Sequence, residues 1–292
     1  TAILSNLYNG RLHTTYNLGK GCDERDELKG TVTGRTSCSN PNLQNIPTNS
    51  ELREVFEKTT GWKYFVTADY SQMELRVAAF LSREPNFINA FNEGKDIHTA
   101  VLCNIQNEDY TDIKTILKDD NHKFHKHWFE YRLVIKRVNF GILYGIHAKK
   151  LRKIGRQMGL DLSEQAIEKI IVDWQNENQT LMNWIRNQED IIIHQQFYRT
   201  IFGRIRHLPG ATRKTSMGHR ILRQGINYPI QSAASDICLL GIYHRYHLYQ
   251  DQSNNRLLMT VHDEINSETN IEDKETIIQQ TQNGRIYTLL PV

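Results

Sequence analysis

The pattern of apolar and polar positions predicts that strands and helices alternate along this chain. Residues 63–68 are aromatic and β-branched, which is typical of a strand, and residues 257–268 have the pattern of two short strands joined at His262 and Asp263. Residues 196–208 predict a hairpin around Gly203. Helical spacing of apolar residues predicts helices from Asp96 onward and over residues 74–81, 128–145, 148–158, 163–194, 220–249 (with an interruption at Pro229) and 271–282.

The segments between these elements are polar. Residues 1–62 are loop-rich, and residues 104–128 predict a solvent-facing insertion. The tract from Thr33 to Pro47 is rich in amide side chains, which suit hydrogen bonding to another polymer, although Asn and Pro are also ordinary turn formers. The order of elements predicts an α+β protein in which a helical subdomain is inserted into a sheet-bearing one.

The composition is ordinary for a folded protein, but basic residues are concentrated in one segment. Of 292 residues, 39% are hydrophobic and 24% charged, which predicts a folded, soluble protein of one or two domains. The net charge is only +3, but residues 123–156 contain ten Lys or Arg and a single acid, Glu130, so an anionic partner is expected there. No apolar run is long enough to span a bilayer, and no membrane partner is expected. The four cysteines have no C-x-x-C spacing, which predicts free thiols in a reducing compartment rather than a zinc site.

Two carboxylates stand where predicted strands end. Asp69 follows the strand at 63–68, and Asp263 occupies the predicted hairpin turn. If these strands are neighbours in one sheet, the two carboxylates converge. Phosphoryl transfer uses two divalent cations about 3.5–4 Å apart, and Mg²⁺ prefers hard oxygen ligands such as carboxylates. Taken singly, Asp69 is better explained as a helix cap and Asp263 as a turn residue, and only the combination with the cationic helix favours the metal site.

A stripe of two cations and two aromatic residues lies between these carboxylates in the sequence. Arg132, Lys136, Phe140 and Tyr144 are four positions apart, so they share one face of the predicted helix. An Arg fork and a Lys ammonium can hold a triphosphate, and the two aromatic rings can stack on a sugar and a base. Aromatic stripes at helical spacing are usually core, but this one would bury an Arg and a Lys with it.

These motifs together resemble those of the family A DNA polymerases, the DNA polymerase I group. The resemblance rests on Asp69-Tyr70-Ser71-Gln72-Met73-Glu74-Leu75-Arg76, on Arg132-x-x-x-Lys136-x-x-Asn139-Phe140-Gly141-x-x-Tyr144-Gly145, and on Val261-His262-Asp263-Glu264. Further matches are Thr33-Gly34-Arg35, Asn40-Pro41-Asn42-Leu43-Gln44-Asn45-Ile46-Pro47, Asp96-Ile97-His98, Gly203-Arg204, Leu208-Pro209 and Asn227-x-Pro229-x-Gln231. They occur in family order along nearly the whole chain, which makes the set very specific.

The resemblance implies an assignment for each part of the reaction. Asp69 and Asp263 would ligate two Mg²⁺ ions, for which Mn²⁺ can substitute, and the Tyr70 carbonyl would complete a site. Lys136 would also be catalytic, as a proton donor to the leaving pyrophosphate. The implied dNTP-binding residues are Gln72, Glu74, His98, Arg132, Lys136, Phe140 and Tyr144. Glu74 would lie under the ribose and crowd a 2′-hydroxyl, while Phe140, which has no hydroxyl, would disfavour dideoxynucleotides.

Contacts to primer-template DNA are implied for a second group of residues. These are Arg35, Asn42, Gln44, Arg223, Asn227, Gln231, His262 and Glu264. The implied architecture is a polymerase palm, an antiparallel sheet with helices, formed by residues 1–82 and 207–292. A helical fingers subdomain would be inserted at residues 83–206. On this comparison the thumb and exonuclease domains are expected to be absent, and the segments 18–30 and 104–128 are longer than the family pattern.

The function predicted from these assignments is template-directed DNA synthesis in replication or repair, as a DNA-directed DNA polymerase. The expected partners are primer-template DNA, dNTPs and replication accessory factors, with the chain itself monomeric. The expected location is the cytoplasm or nucleoid of a bacterial or phage-infected cell, or an organelle. Two other readings stay open: a single-subunit RNA polymerase, against which Glu74 argues, and a catalytically silent primer-template binder. A nuclease has less support, because no further acidic cluster stands outside these motifs.

Overall fold

The computed structural model describes residues 7–18, 30–45, 59–143, 148–157, 163–248 and 254–272. The chain divides into two compact units, one made of Thr1–Met73 with Gln231–Leu290 and the other of Glu74–Ile230. Helices dominate, and the sheets are small and antiparallel, which confirms the predicted α+β class. The predicted palm and fingers boundaries stay predictions.

The strands of the described residues are short and lie mainly in the first unit. In chain order they are β1 (Leu7–Tyr8), β2 (Arg11–Leu12), β3 (Thr15–Asn17), β4 (Ser37–Ser39), β5 (Tyr64–Asp69), β6 (Phe197–Arg199), β7 (Ile205–His207), β8 (Asn255–Val261) and β9 (Glu264–Thr269). A three-stranded sheet has the order β5-β9-β8, while β1-β2, β3-β4 and β6-β7 are separate pairs. The predicted strands at 63–68 and 257–268 and the hairpin at 196–208 are therefore confirmed.

The central strand of the three-stranded sheet buries polar side chains and satisfies them. Asn266, Ser267 and Glu268 of β9 are all 1% exposed. Thr67 on β5 donates to Asn266 Oδ1 at 2.8 Å, and Arg256 on β8 donates to Glu268 Oε2 at 2.7 Å. Because each buried polar group has a partner, the strand forms although its apolar content is low.

Helices make up most of the second unit. In chain order the helices of both units are α1 (Met73–Ser82), α2 (Pro85–Asn92), α3 (Ile97–Gln106), α4 (Tyr110–Ile116), α5 (His125–Leu143), α6 (Ala148–Gln157), α7 (Glu164–Glu177), α8 (Gln179–Gln195) and α9 (Ser216–Leu248). A short 3₁₀ turn covers Leu43–Asn45. No helix within the described ranges combines the length and apolar character that crossing a membrane requires.

The long helix predicted over residues 163–194 is two helices. α7 and α8 are separated at Asn178, whose backbone is non-helical with φ −118° and ψ 48°. Glu84, which is 1% exposed, accepts hydrogen bonds from Asn86 N at the start of α2 and from Leu181 N at the start of α8. One buried carboxylate therefore caps two helices, a long-range contact that sequence periodicity does not reveal.

The interruption predicted at Pro229 is not present, because α9 continues through it from Ser216 to Leu248. Proline removes one helical hydrogen bond and crowds the carbonyl four residues earlier, at a cost of about 3 kcal/mol. Side chains on both sides of Pro229 are buried, including Ile226 and Ile230, and this burial offsets the cost. Gly225 packs so closely that a Cβ there would lie 2.7 Å from Ile192 Cδ1, so the helix contacts α8 directly.

Several further predictions can be placed. The insertion at 104–128 carries the short helix α4 and is mostly exposed, as expected. Cys38, Cys103 and Cys238 are buried thiols without disulfides. Some predictions fall outside the described residues: those for Cys22, Ile46, Pro47, Tyr144 and the helix beyond Glu272.

Candidate active site

The sheet of the first unit brings Asp69 and Asp263 together. Asp69 is the last residue of β5 and pairs with Glu264, the first residue of β9. Asp263 directly precedes Glu264, and its carbonyl accepts a hydrogen bond from Tyr70 N at 3.3 Å. The two carboxylate residues therefore stand on adjacent chain segments at one end of the sheet, the arrangement that the sequence analysis required.

A tight turn fixes this position. Val261 at the end of β8 pairs with Glu264 at the start of β9, so only His262 and Asp263 form the connection. His262 has a positive φ of 57°, a conformation that a two-residue hairpin needs and most side chains disfavour. Gln72, at the other side of the site, also has a positive φ, 55°, and allows the chain to pass from β5 into α1.

The donor set at this end of the sheet suits magnesium. Asp69 is exposed and Asp263 half-buried, so their carboxylates are accessible, and carboxylate and carbonyl oxygens are the hard ligands that Mg²⁺ prefers. The described residues contain no group of three or more His, Cys, Asp or Glu that could hold a metal ion. A magnesium ion held by Asp69 and Asp263 would therefore take further oxygen ligands from a phosphate substrate or from water. Glu264 accepts from Asn266 Nδ2 at 2.8 Å.

In the second unit, three of the four predicted stripe residues lie on α5. Arg132, Lys136 and Phe140 follow one another at intervals of four, and Tyr144 lies outside the described residues. Lys136 is exposed and Phe140 is half-buried, with its ring centroid 5.8 Å from that of His98 on α3. The helix thus presents a cation beside an aromatic ring and an imidazole.

Arg132 is held in place by α3. Its Nε and Nη2 donate to Asp96 Oδ2 at 3.0 and 2.8 Å, and Nε also reaches Thr99 Oγ1 at 3.0 Å. Asp96 is the N-cap of α3 and accepts from Thr99 N at 2.9 Å. Burial raises the pKa of the Asp96 carboxyl, but the hydrogen bonds from Thr99 and the charge of Arg132 outweigh it and lower that pKa. The ion pair therefore stays charged at neutral pH and fixes the guanidinium.

His98 is a neutral imidazole at neutral pH. It is 3% exposed, and burial, together with the charges of Arg132 and Lys136, lowers its pKa to about 4 against the opposing effect of Asp96. Its Nδ1 lies 2.9 Å from Asn139 Nδ2. A neutral ring beside two cations can donate one hydrogen bond without adding a third positive charge.

The predicted DNA-contact residues Arg35, Asn42 and Gln44 form hydrogen bonds within their own turn segment. Gln44 is 7% exposed, and its Nε2 donates to Thr36 Oγ1 at 2.9 Å. Its backbone N–H donates to Asn42 Oδ1 at 3.0 Å. The Arg35 carbonyl accepts from Thr31 Oγ1 at 2.8 Å. The amides in this tract hold its own turn together, and the predicted contacts to DNA stay predictions.

Three further predicted DNA-contact residues form a stripe on α9. Arg223, Asn227 and Gln231 are four positions apart on this helix and half-buried. The buried Oδ1 of Asn227 has no hydrogen-bond partner among the described residues. This carbonyl is thus available to a donor from outside the described chain.

Sequence reasoning missed three residues that support the site. In the sequence Asp96 indicates a helix start and part of a family motif, and in the structure it also orients Arg132. Asn139 and Trp174 form a buried chain to His98, and neither was assigned a role. Asn139 could have been found, since it lies between Lys136 and Phe140 in the helical motif, whereas no local pattern distinguishes Trp174.

The sequence model of DNA polymerase family A matches residues 2–285. This chain belongs to DNA polymerase family A. DNA polymerase I of Chloroflexus aurantiacus is 33% identical over 279 residues, covering 93% of this chain and 26% of the relative. The thermostable DNA polymerase I of Thermus filiformis is 33% identical over 261 residues, covering 88% of this chain and 28% of the relative.

A solved structure has the same fold. It is the polymerase domain of Pol1 from M. smegmatis, in complex with DNA primer-template and dNTP, with a TM-score of 0.81 and 26% identity. The match covers 99% of this chain and 47% of that one. The family A chain described here thus spans about a quarter of the length of the two curated relatives.

Proposed function

We propose that this chain carries out template-directed DNA synthesis, transferring a deoxynucleotidyl group from a dNTP to a primer 3′-hydroxyl with release of pyrophosphate. The single observation that supports this most strongly is the placement of Asp69 and Asp263. The pairing of Asp69 with Glu264 and the Tyr70–Asp263 hydrogen bond put both carboxylate residues at one sheet end. Membership of family A makes nucleotidyl transfer the chemistry that this pair best serves.

The metal ions of this reaction would be two Mg²⁺ ions, replaceable by Mn²⁺. Asp69, Asp263 and the Tyr70 carbonyl would hold them through hard oxygen donors. Bound there, the ions would stabilise the attacking and leaving oxygens of the displacement at phosphorus. Both carboxylates are exposed or half-buried, so a phosphate can approach them.

The second unit would bind the incoming dNTP. Arg132, fixed by Asp96, and the exposed Lys136 would neutralise the triphosphate, with Lys136 donating a proton to the departing pyrophosphate. The neutral His98 would contribute a hydrogen bond, and Phe140 would pack against the sugar, with Tyr144 near the base. Gln72 and Glu74 would also contact the nucleotide, Glu74 by excluding a 2′-hydroxyl.

Primer-template DNA would be the macromolecular partner. One stripe of α9 is suited to contact a duplex through Arg223, Asn227 and Gln231. Asn227 Oδ1 has no hydrogen-bond partner among the described residues, so it can accept a hydrogen bond from DNA. Arg35, Asn42, Gln44, His262 and Glu264 would add further contacts. The relative from M. smegmatis was solved in complex with primer-template and dNTP. We propose that the chain acts as a monomer with replication accessory factors.

A primer-extension assay with Mg²⁺ and dNTPs tests the proposal. Asp69→Asn and Asp263→Asn should each reduce extension by more than about 10²-fold, the scale on which one lost transition-state electrostatic contact slows an enzyme. Asp112→Asn, on the exposed helix α4, is the matched control and should extend normally. Extension that survives either active-site change would refute metal-assisted catalysis by this pair.

The same assay separates the other readings. An rNTP mixture should be used far less well than dNTPs, and Glu74→Ala should narrow that difference because it removes the group placed against the 2′-position. Preferred use of rNTPs by the unaltered chain would indicate an RNA polymerase. Binding of primer-template without extension would indicate a silent binder.

A further inference from the structure

Hydrogen bonds link three buried side chains, from Trp174 on α7 through Asn139 on α5 to His98 on α3. Trp174 Nε1 donates to Asn139 Oδ1 at 2.6 Å, and Asn139 Nδ2 lies 2.9 Å from His98 Nδ1. Trp174 and Asn139 are 0% exposed and His98 is 3% exposed. Water therefore does not compete for these hydrogen bonds, and a polar group left unpaired here would be costly.

The donors and acceptors of these three side chains allow the hydrogen bonds to run in one direction only, from Trp174 to His98. Indole Nε1–H is a donor without acceptor capacity, so the atom facing it must be the amide oxygen of Asn139. With its oxygen turned to Trp174, Asn139 presents its NH₂ group to His98. The NH₂ group can only donate, so His98 Nδ1 must be the unprotonated nitrogen, and the proton of the neutral ring resides on Nε2.

We propose that Trp174 is a positioning residue of the nucleotide site, which through Asn139 fixes His98 in the tautomer whose Nε2–H can donate to the dNTP triphosphate. The inference rests on the proposed function, since it gives His98 its task. A ring with the opposite tautomer would direct a lone pair toward phosphate oxygens, which would repel them. A phenylalanine at position 174 would remove the indole donor and leave the Asn139 amide free to reverse.

The tautomer can be measured directly on the 292-residue chain. Two-bond ¹H–¹⁵N correlation spectra of protein labelled with ¹⁵N-histidine distinguish protonated from unprotonated ring nitrogens, and His98→Gln identifies the His98 signals by their loss. In the unaltered protein we expect Nε2 protonated and Nδ1 unprotonated.

Trp174→Phe should give a mixture of tautomers. Asn139→Asp, which is nearly isosteric, should place a proton on Nδ1, because a carboxylate offers no donor. Trp184→Phe on α8 is the matched control and should leave the spectrum of His98 unchanged.

Nucleotide affinity gives the second readout. Equilibrium dialysis of dATP with Mg²⁺, without primer-template, measures binding in the absence of catalysis. Trp174→Phe and Asn139→Asp should each weaken binding by about two- to tenfold, the range that the loss of one hydrogen bond predicts, and Trp184→Phe should not. A protonated Nδ1 in the unaltered chain would overturn the proposal, as would unchanged dATP binding in both variants. Neither result would contradict the proposed polymerase function, which is tested separately by primer extension with Asp69→Asn and Asp263→Asn.

Discussion

The backbone N–H of Tyr70 donates a hydrogen bond to the carbonyl of Asp263 at 3.3 Å. This bond extends the pairing of β5 with β9 one residue beyond Asp69 and Glu264. It ties the chain segment that carries one carboxylate to the turn that carries the other. The geometry of a two-residue turn therefore controls the placement of both acids.

The conformation of His262 in that turn yields the first prediction. Its φ of 57° lies in the left-handed region, where a β-branched residue is strained by about 1–2 kcal/mol. His262→Val should lower the free energy of unfolding by about that amount, while His262→Gly should leave it nearly unchanged. Urea denaturation measures both. His207→Val, at an exposed strand position of β7, is the control and should not destabilise the protein; equal losses in both Val variants would contradict the argument.

The ion pair between Asp96 and Arg132 yields the second prediction. Asn caps helices about as well as Asp, so Asp96→Asn should keep the start of α3 but lose the charge that fixes Arg132. Because the guanidinium is then less ordered, we expect KM for dNTP to rise by about three- to tenfold, which corresponds to about 0.6–1.4 kcal/mol, the range of one ordinary hydrogen bond.

The chain offers a matched control for this change. Asp109 caps the exposed helix α4 by accepting from Thr111 N at 2.7 Å. Asp109→Asn makes the same substitution at a cap without an arginine partner and should leave KM unchanged. A lower KM in Asp96→Asn would show that Asp96 holds Arg132 away from the substrate rather than ready for it.

The buried His98 yields a prediction about pH. Its pKa is lowered to about 4 from 6.5, so between these values the unfolded chain binds a proton that the folded chain does not. Stability should therefore fall as the pH falls from about 6.5 to about 4, by up to about 3 kcal/mol from this residue, and the contribution of His98 should not change further below that window.

Comparison of variants isolates this contribution. The free energy of unfolding, measured at pH 7 and at pH 4.5, should decrease less in His98→Gln than in the unaltered protein. His219→Gln, an exposed position on α9, should retain the full decrease. An identical decrease in all three proteins would mean that His98 titrates normally.

Phe140 yields a prediction about substrate choice. A phenyl ring has no hydroxyl to take the place of a missing sugar 3′-OH, so dideoxynucleotides should be used poorly. Phe140→Tyr should raise the ratio of kcat/KM for ddTTP to that for dTTP by at least about tenfold, the value of one well-placed hydrogen bond. Phe129→Tyr, the same change at an exposed position of α5, should leave this ratio unchanged.

Local sequence was sufficient for most elements and for the acidic pair. The β-branched run before Asp69 and the helical spacing around Arg132 predict their own conformations, because strand and helix periodicities depend on neighbours a few residues away. The predictions differ from the structure where distant contacts dominate. Burial around Pro229 keeps α9 continuous, and Asn178 divides a helix whose second half is capped by Glu84.

The sequence by itself determined which chemical groups this protein carries and which residues share a helical face, since residue identity and spacing decide both. Only the tertiary structure decided which distant residues meet: the register that sets Asp69 opposite Glu264, the anchoring of Arg132 by Asp96, and the hydrogen-bond chain from Trp174 to His98. The physical reason is that hydrogen-bond partners between elements are selected by the packing of the whole unit, which no local pattern contains.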